Sequence, residues 1–317
     1  MRKTVLLSAS IGIAVLLACV VALLAALASA PGASAVSGDH GASFALFCNF
    51  SHRSLDDPIK YPGIQGTLDD TERPFHSHDF FGNTSTKFDS TYESMRQATT
   101  TCTRPEDTAS YWFPTVSWKD QNGTHQLTPN RTIFYYRAGG KDHTTVRPFA
   151  ANLKIINDKR ITWYCGIDDN KVGSPDPPTQ CESGVLGVRI IFPDCIATDA
   201  NGEQVTDSFD HKSHMVRSKP LSDGTRGCPE NYVPVPALTI NSNFPIPPTT
   251  GQVTLSSDHP DDPPATTMHA DFWNTWDQDT PFDPATGRGG LSAMVKHCIN
   301  EVPPSDPRPR ECKAPRE

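Results

Sequence analysis

Short runs of β-branched and aromatic residues, separated by Pro, Gly and Asp, dominate the middle of the chain. Residues 132–137, for example, read Thr-Ile-Phe-Tyr-Tyr-Arg, a composition typical of a β-strand. The same pattern predicts strands over residues 43–50, 132–137, 153–156, 160–164, 185–192, 233–240 and 252–256. Many short strands joined by Pro- and Gly-rich turns favour a mainly β protein, either a β-sandwich or a jelly-roll with long loops.

One segment near the C-terminus has helical periodicity instead. Five apolar residues repeat at the spacing of a single buried stripe: Leu291, Met294, Val295, Cys298 and Ile299. This spacing predicts a short C-terminal helix over residues 290–300. A second, shorter helix is expected to begin near Ser90 and to carry Tyr92, Met95 and Arg96.

The N-terminus has the pattern of an export signal. Basic residues at positions 2 and 3 precede an apolar run from Val5 to about Ala28, and Ala33-Ser34-Ala35 offers small residues for cleavage. We therefore expect residues 1–35 to be a signal peptide and the protein to be secreted. The apolar run is also long enough to cross a bilayer as an uncleaved membrane anchor.

Cysteine usage fits an exported protein. Eight cysteines follow the signal, at positions 48, 102, 165, 181, 195, 228, 298 and 312. An even number in an exported chain predicts four disulfides that tie the long loops. Closeness in sequence favours the pairs Cys165 with Cys181, Cys195 with Cys228, and Cys298 with Cys312.

These features suggest one β-rich domain over residues 36–301. A Pro-rich tail follows over residues 302–317, and we expect it to be loosely held apart from its tether at Cys312. The net charge of −8 argues against nucleic acid, which needs a concentrated basic face. A neutral polysaccharide, a small molecule or a protein surface fits this charge better. We expect a monomer with no membrane contact beyond the export signal.

A short His-rich stretch is the most informative part of the chain. If residues 76–80 are extended, the period of two puts His76, His78 and Phe80 on one face and Asp79 and Phe81 on the other. Two further His-rich segments lie at residues 210–215 and 268–277, and both contain Asp. Five of the eleven histidines fall in the three segments, so we expect these segments to meet in space and to form the functional site.

The chain also resembles a known family. Six motifs carry the resemblance: His76-Ser77-His78-Asp79-Phe80-Phe81-Gly82-Asn83, Ser90-Thr91-Tyr92-Glu93-Ser94, Tyr111-Trp112-Phe113-Pro114-Thr115, Ile191-Phe192-Pro193-Asp194-Cys195, Asp210-His211-Lys212-Ser213-His214-Met215 and His269-Ala270-Asp271-Phe272-Trp273-Asn274-Thr275-Trp276-Asp277. Together they resemble a family of secreted fungal and actinobacterial proteins known as a domain of unknown function, with a match from about Cys48 to Cys298. The resemblance implies work on or near cell-wall or biomass glycans. It implies no catalytic residues.

The first hypothesis for the His segments is a metal site. The candidate ligands are the five histidines His76, His78, His211, His214 and His269, with Asp271 beside the last. Imidazole and carboxylate ligands without thiolate suit one divalent transition metal, with Zn²⁺ favoured. Asp79 and Asp210 would accept hydrogen bonds from the ligating imidazoles. The bound ion would activate a water molecule, and the protein would be a metal-assisted hydrolase of polysaccharide.

The second hypothesis is metal-free chemistry on a glycan. The candidate catalytic carboxylates are Asp79, Asp210, Asp271 and Asp277, a pair of which would make a glycosidase. In a polysaccharide lyase, a histidine would act as the base with Tyr92 and Arg96 holding the substrate. Substrate contacts are expected from Trp273, Asn274 and Trp276 at the edge of the site.

The third hypothesis involves no catalysis. The protein would bind a glycan or a surface, and its His–Asp pairs would be buried hydrogen-bonded struts. We favour the metal-assisted hydrolase and keep the other two as alternatives.

Overall fold

Antiparallel β-strands are the main regular secondary structure in the computed structural model, which describes residues 41–55, 57–59, 76–167, 173–261 and 263–314. The strands are β1 (Ser43–Phe47), β2 (Phe50–Ser54), β3 (His78–Gly82), β4 (Ser110–Pro114), β5 (Val116–Asp120), β6 (Gly123–Gln126), β7 (Arg131–Arg137), β8 (Lys154–Asn157), β9 (Ile161–Cys165), β10 (Val185–Ile191), β11 (Cys195–Ala197), β12 (Met215–Val216), β13 (Lys219–Pro220), β14 (Arg226–Gly227), β15 (Tyr232–Pro234), β16 (Ala237–Pro245), β17 (Gly251–Leu255) and β18 (Ala270–Trp273). The predicted signal peptide lies outside the described residues.

Among the described residues, the helices are few and short. Helix α1 (Tyr92–Arg96) begins at Thr91, whose hydroxyl accepts a hydrogen bond from the backbone of Ser94 while the Ser94 hydroxyl accepts one in return from the backbone of Thr91. Helix α2 (Leu291–Val295) continues as a π-helical turn over Lys296–Asn300, and all five residues of the predicted apolar stripe are fully buried. Single 3₁₀ turns occur at His143–Thr145 and Arg310–Cys312. Within the described ranges, no helix has the length and apolar character needed to cross a membrane.

Two five-stranded antiparallel sheets form the body of the fold. The first sheet has the order β1-β7-β16-β10-β9 and the second has the order β2-β3-β4-β18-β8. The smaller sheets are β17-β5-β6, β12-β11-β15 and the pair β13-β14.

The main core lies between the two large sheets. The rings of Tyr111 and Phe134 are 4.2 Å apart between centroids, and those of Phe113 and Phe244 are 6.1 Å apart. The hydroxyls of Tyr111 and Tyr136 meet at 2.7 Å across the interface. Aromatic side chains of this size dominate core energetics, because each removes a large apolar area from water. The mainly β sandwich with a short C-terminal helix is therefore confirmed.

The opposite side of the second sheet, here called the outer face, carries a different set of residues. Across the five strands, the pairing places in one row His52, Phe80, Trp112, Asp271 and Ile156. A smaller apolar cluster on this face joins Phe80 and Trp112 to Met95 of α1. Phe81 packs into the core between the sheets instead. The period of two predicted for residues 76–81 is thus confirmed.

Four disulfides connect the loops. They join Cys48 with Cys102, Cys165 with Cys181, Cys195 with Cys228, and Cys298 with Cys312, which confirms the three pairs favoured by sequence. Disulfides of this kind persist in oxidising compartments and are rare in the cytosol.

The C-terminal tail is more firmly held than the sequence suggests. Arg104 is buried, and its guanidinium donates hydrogen bonds to the carbonyl oxygens of Glu311 at 2.8 Å and Lys313 at 3.2 Å. Arg308 donates to the hydroxyl of Ser43 at 2.9 Å. The expectation of a loose tail is wrong for this stretch, because long arginine side chains make contacts that composition does not reveal.

Candidate metal centre

Three imidazoles converge at one end of the outer face. The Nε2 atom of His269 lies 3.4 Å from Nε2 of His76 and 3.3 Å from Nε2 of His78. The three ligand atoms lie within 4.8 Å of one another and could hold a metal ion. Two of the three predicted segments therefore meet here, although they are separated by almost two hundred residues of sequence.

Strand pairing explains the meeting. Phe80 of β3 and Asp271 of β18 both pair with Trp112 of β4, one from each side. Both strands run antiparallel to β4, so they are parallel to each other. His78 and His269 each stand two residues before these positions, and they therefore point to the same face at the same end. His78 pairs with Pro114 of β4, whose compact side chain leaves room for imidazoles to meet above it.

Two carboxylates border the imidazoles. Oδ2 of Asp271 lies 3.8 Å from Nε2 of His269 and 4.0 Å from Nε2 of His78. Oδ2 of Asp57 lies 3.9 Å from the same His78 nitrogen. The Asp271 side chain is only 1% exposed, and neither of its oxygens has a hydrogen-bond partner. A buried carboxylate in this state needs a cation or a proton, because leaving it charged and unpaired is costly.

The imidazoles are neutral near pH 7. Burial, with a smaller contribution from His269, lowers the pKa of His76 to about 3, and burial lowers the pKa of His269 to about 4. Burial and the two neighbouring imidazoles hold the pKa of His78 well below its usual value. Nδ1 of His269 must carry its proton, since it lies 2.9 Å from the carbonyl oxygen of Thr267, which can only accept. Its Nε2 lone pair is therefore free to bind a metal.

The carboxylates respond in the opposite direction. Burial raises the pKa of Asp57 to about 7, although the backbone N–H of Ile59 and the charge of His211 oppose the rise. Burial and the nearby Asp57 raise the pKa of Asp271 well above its usual value. One divalent cation would balance the charge of the two carboxylates, since the three imidazoles are neutral. Sequence reasoning missed Asp57, because Leu-Asp-Asp-Pro is typical of a turn and no histidine adjoins it.

The third predicted segment contributes no ligand atom to this cluster. Nδ1 of His211 is 2.6 Å from Oδ1 of Asp207, and Nδ1 of His214 is 2.8 Å from the hydroxyl of Ser208. Asp210 accepts hydrogen bonds from Ser208 and from the backbone of the two residues after His211. Among the described residues, neither His211 nor His214 belongs to a group of three ligand atoms. The charge of His211 acts on the Asp57 carboxyl, so His211 lies near the centre. His214 is buried and hydrogen-bonded to Ser208, so its role is structural.

Asp79 also has a structural position. It lies on the opposite side of β3 from His78, where its two oxygens accept hydrogen bonds from Arg53 at 2.6 and 2.9 Å. The hydroxyl of Thr115 donates to it at 2.9 Å. This contradicts the predicted catalytic and ligand-supporting roles of Asp79, because its hydrogen bonds are made away from the imidazoles.

The aromatic residues after Asp271 are interior. The ring of Trp276 makes T-shaped contacts with the rings of Phe44 and Tyr136, and the side chain is fully buried. Trp273 is 3% exposed, and Asn274 is fully buried with its amide donating to two backbone carbonyl oxygens. These positions contradict the predicted substrate contacts, because buried side chains offer no surface to a ligand.

Three other predicted residues lie beyond the far end of β18. Arg96 of α1 binds Oδ2 of Asp277 through Nη2 at 3.0 Å. Tyr92 is partly exposed on the same helix, and its pKa is raised by burial and by nearby Asp277 against the opposing effect of Arg96. These residues form a second polar region, separate from the imidazole cluster.

Comparison with known proteins identifies the family of this chain. No curated protein and no solved structure matches the chain. The family model described as Domain of unknown function (DUF1996) matches residues 67–276, a range that includes the three imidazoles and Asp271 but not Asp57. This match confirms the resemblance to a domain of unknown function. The chain therefore belongs to the DUF1996 family, a domain of unknown function.

Proposed function

We propose that the protein binds one Zn²⁺ ion through His76, His78 and His269 and uses it to hydrolyse a polysaccharide outside the cell. The separation of the imidazole nitrogens is the observation that carries the proposal. In a tetrahedral site with Zn–N distances of about 2.0–2.1 Å, two nitrogen ligands lie roughly 3.3–3.4 Å apart. Two of the three separations, those from His269 to His76 and to His78, are 3.4 and 3.3 Å, and all three nitrogens lie within 4.8 Å of one another.

The carboxylates support a catalytic rather than a closed site. Their oxygens lie 3.8–4.0 Å from the imidazole nitrogens, longer than a ligand-to-ligand edge. Three protein nitrogens with an open fourth position are the arrangement of catalytic zinc, where water is the fourth ligand. Asp271 would orient that water. Asp57, whose side chain is 23% exposed, would take its proton on the solvent side.

One observation bears on the substrate, and two support an extracellular destination. The net charge of −8 disfavours nucleic acid as a partner. The four disulfides fit an oxidising compartment. The N-terminal sequence has the pattern of an export signal. On this proposal the protein acts as a secreted monomer.

Metal analysis of the purified, untagged protein tests the proposal. Elemental mass spectrometry is expected to give about one equivalent of zinc per chain, which dialysis against a chelator removes and added zinc restores. The His269→Ala variant should retain little zinc, because it loses a ligand. The exposed His259 offers a matched control, and His259→Ala should keep its zinc. Wild-type protein that neither contains zinc nor takes it up would contradict the proposal.

The hydrolytic step needs a separate assay. Release of reducing ends is measured on a panel of cell-wall polysaccharides with zinc-loaded, chelated and reloaded protein. The proposal predicts activity that chelation abolishes and reloading restores. Activity that survives complete zinc removal would favour metal-free chemistry instead.

A further inference from the structure

A polar cleft lies beyond the far end of β18, away from the imidazoles. It has a volume of about 300 Å³, at the lower end of the range for ligand pockets. Its charged lining residues are Arg96, Glu106, Asp277 and Arg288, with Thr108 beside them. The backbone N–H of Asp277 donates to the carbonyl oxygen of Glu106 at 2.9 Å, which fixes the two acidic residues side by side.

The charges of the polar cleft cancel. Arg96 pairs with Asp277 at 3.0 Å, and Nη2 of Arg288 lies 2.8 Å from Oε1 of Glu106. Two guanidinium groups therefore face two carboxylates. Such a cleft exerts no net attraction on an anion or a cation, so a neutral polar ligand fits it best.

Hydrogen-bonding capacity remains after these pairs have formed. A carboxylate oxygen can accept more than one hydrogen bond, so Oε1 of Glu106, which Arg288 contacts, and Oδ2 of Asp277, which Arg96 contacts, can each accept another. The contact with Glu106 uses two of the three guanidinium nitrogens of Arg288, whose side chain is 49% exposed. Donors and an acceptor thus stand together, and this combination suits hydroxyl groups, which both donate and accept.

An aromatic ring lies near the cleft, although outside its lining. Tyr92 lies one turn before Arg96 on α1, so the two side chains share a side of the helix. Its ring packs partly against the apolar cluster of the outer face and remains partly exposed. An aromatic ring with one exposed face and a polar tip is suited to contact with the apolar face of a sugar.

We propose that the polar cleft binds sugar rings of a neutral polysaccharide at a subsite apart from the metal centre. The polymeric nature of the ligand rests on the proposed function, whereas recognition of a neutral sugar rests on the cleft alone. Asp277 is the sixth residue after Asp271, so the Cα atoms of the two residues lie at most roughly 20 Å apart. A single polymer chain would therefore reach both sites.

Calorimetric titration of the full mature protein tests the cleft. The probes are hexasaccharides of glucose, xylose, mannose and N-acetylglucosamine, with hexagalacturonate as an anionic comparison. At least one neutral hexasaccharide is expected to bind, and Glu106→Gln and Arg288→Ala should each weaken that binding at least tenfold. Glu182→Gln, an exposed glutamate outside the cleft, is the matched control and should leave binding unchanged.

Three results would overturn the inference: no neutral hexasaccharide binds, hexagalacturonate binds most tightly, or both cleft variants bind as tightly as the wild type. Circular dichroism establishes that each variant is folded. Arg288→Ala keeps the test valid if Glu106→Gln fails to fold, because the arginine is half exposed. Zinc content is measured on every sample. Wild-type protein that neither contains zinc nor takes it up, yet binds the sugar, would contradict the metal proposal and leave the cleft supported.

Discussion

The two nitrogens of His269 have different partners, and this difference gives the candidate centre its chemistry. Nδ1 is fixed by the carbonyl oxygen of Thr267, so Nε2 presents its lone pair to the other imidazoles. The local spacings from His76 to His78 and from His269 to Asp271 made these histidines predictable as ligands, although the prediction also included His211 and His214. Asp57 was not predictable, because its role depends on chain folding that places a turn beside His78. His211 and His214 show the reverse error, since a similar spacing serves local hydrogen bonds.

At the residue scale, Asp271→Asn should separate metal binding from a structural role. The change removes a buried carboxylate that has no hydrogen-bond partner. In chelator at pH 7, we expect the variant to be more stable than the wild type by about 1–3 kcal/mol, since folding of the wild type must either protonate the Asp271 carboxylate or bury it charged and unpaired. Zinc affinity should fall. Urea unfolding and zinc competition titration measure the two effects. Loss of stability in the metal-free variant would instead indicate a strut.

At the element scale, the register of β3, β4 and β18 brings the site together. The sequence revealed β3 through the alternation of residues 76–81, and it revealed the strands rich in Val, Ile and Tyr. It did not reveal the full length of β16, because Asn241, Ser242 and Asn243 interrupt the apolar pattern. The predicted strand 233–240 is in fact two strands, β15 and β16. Pro236 lies between them and has no backbone N–H to donate.

A buried network of side-chain hydrogen bonds links the two large sheets. Oδ2 of Asp107 accepts from the hydroxyl of Tyr111 on β4, and that hydroxyl lies 2.7 Å from the hydroxyl of Tyr136 on β7. Burial raises the pKa of Asp107 to about 8, although Tyr111 and the backbone N–H of Ala109 oppose the rise. The folded protein therefore holds a proton that the unfolded chain releases near pH 4.

This hydrogen-bond network predicts that the stability of the protein depends on pH with a definite sign. The contribution of Asp107 to stability is fully present below about pH 4 and is lost as the pH rises through about 8. The stability of the wild type relative to Asp107→Asn should therefore fall between pH 4 and pH 8. Urea unfolding of both proteins in chelator at pH 4, 6 and 8 measures this difference. A stability difference that stays constant across this range would show that folding does not raise the pKa of Asp107.

At the scale of the whole molecule, the sandwich holds the site while disulfides hold the loops. The even cysteine count and short separations predicted three of the pairs. The predicted pair Cys298–Cys312 ties the tail to the end of the C-terminal helix. Sequence composition likewise suggested a β-sandwich, but which sheet face carries the imidazoles follows from long-range pairing that no local pattern encodes.

Removal of this disulfide should affect stability without affecting the metal centre. Replacing Cys298 and Cys312 together by Ala opens a loop of 14 residues. We expect a loss of about 2–4 kcal/mol in the free energy of unfolding, chiefly because the unfolded chain gains freedom. Thermal and urea unfolding give the loss, and elemental analysis should show unchanged zinc. Zinc loss in a variant that remains folded would mean that the tail supports the site.

X-ray absorption spectroscopy at the zinc edge tests the central claim most directly, because it reports the atoms bound to the ion. The protein loaded with one equivalent of zinc should show three imidazole nitrogens at about 2.0–2.1 Å and at least one oxygen ligand. The imidazole signal should diminish in His269→Ala and persist in His259→Ala. A spectrum with only oxygen ligands, or one unchanged by the loss of His269, would contradict a three-histidine zinc centre.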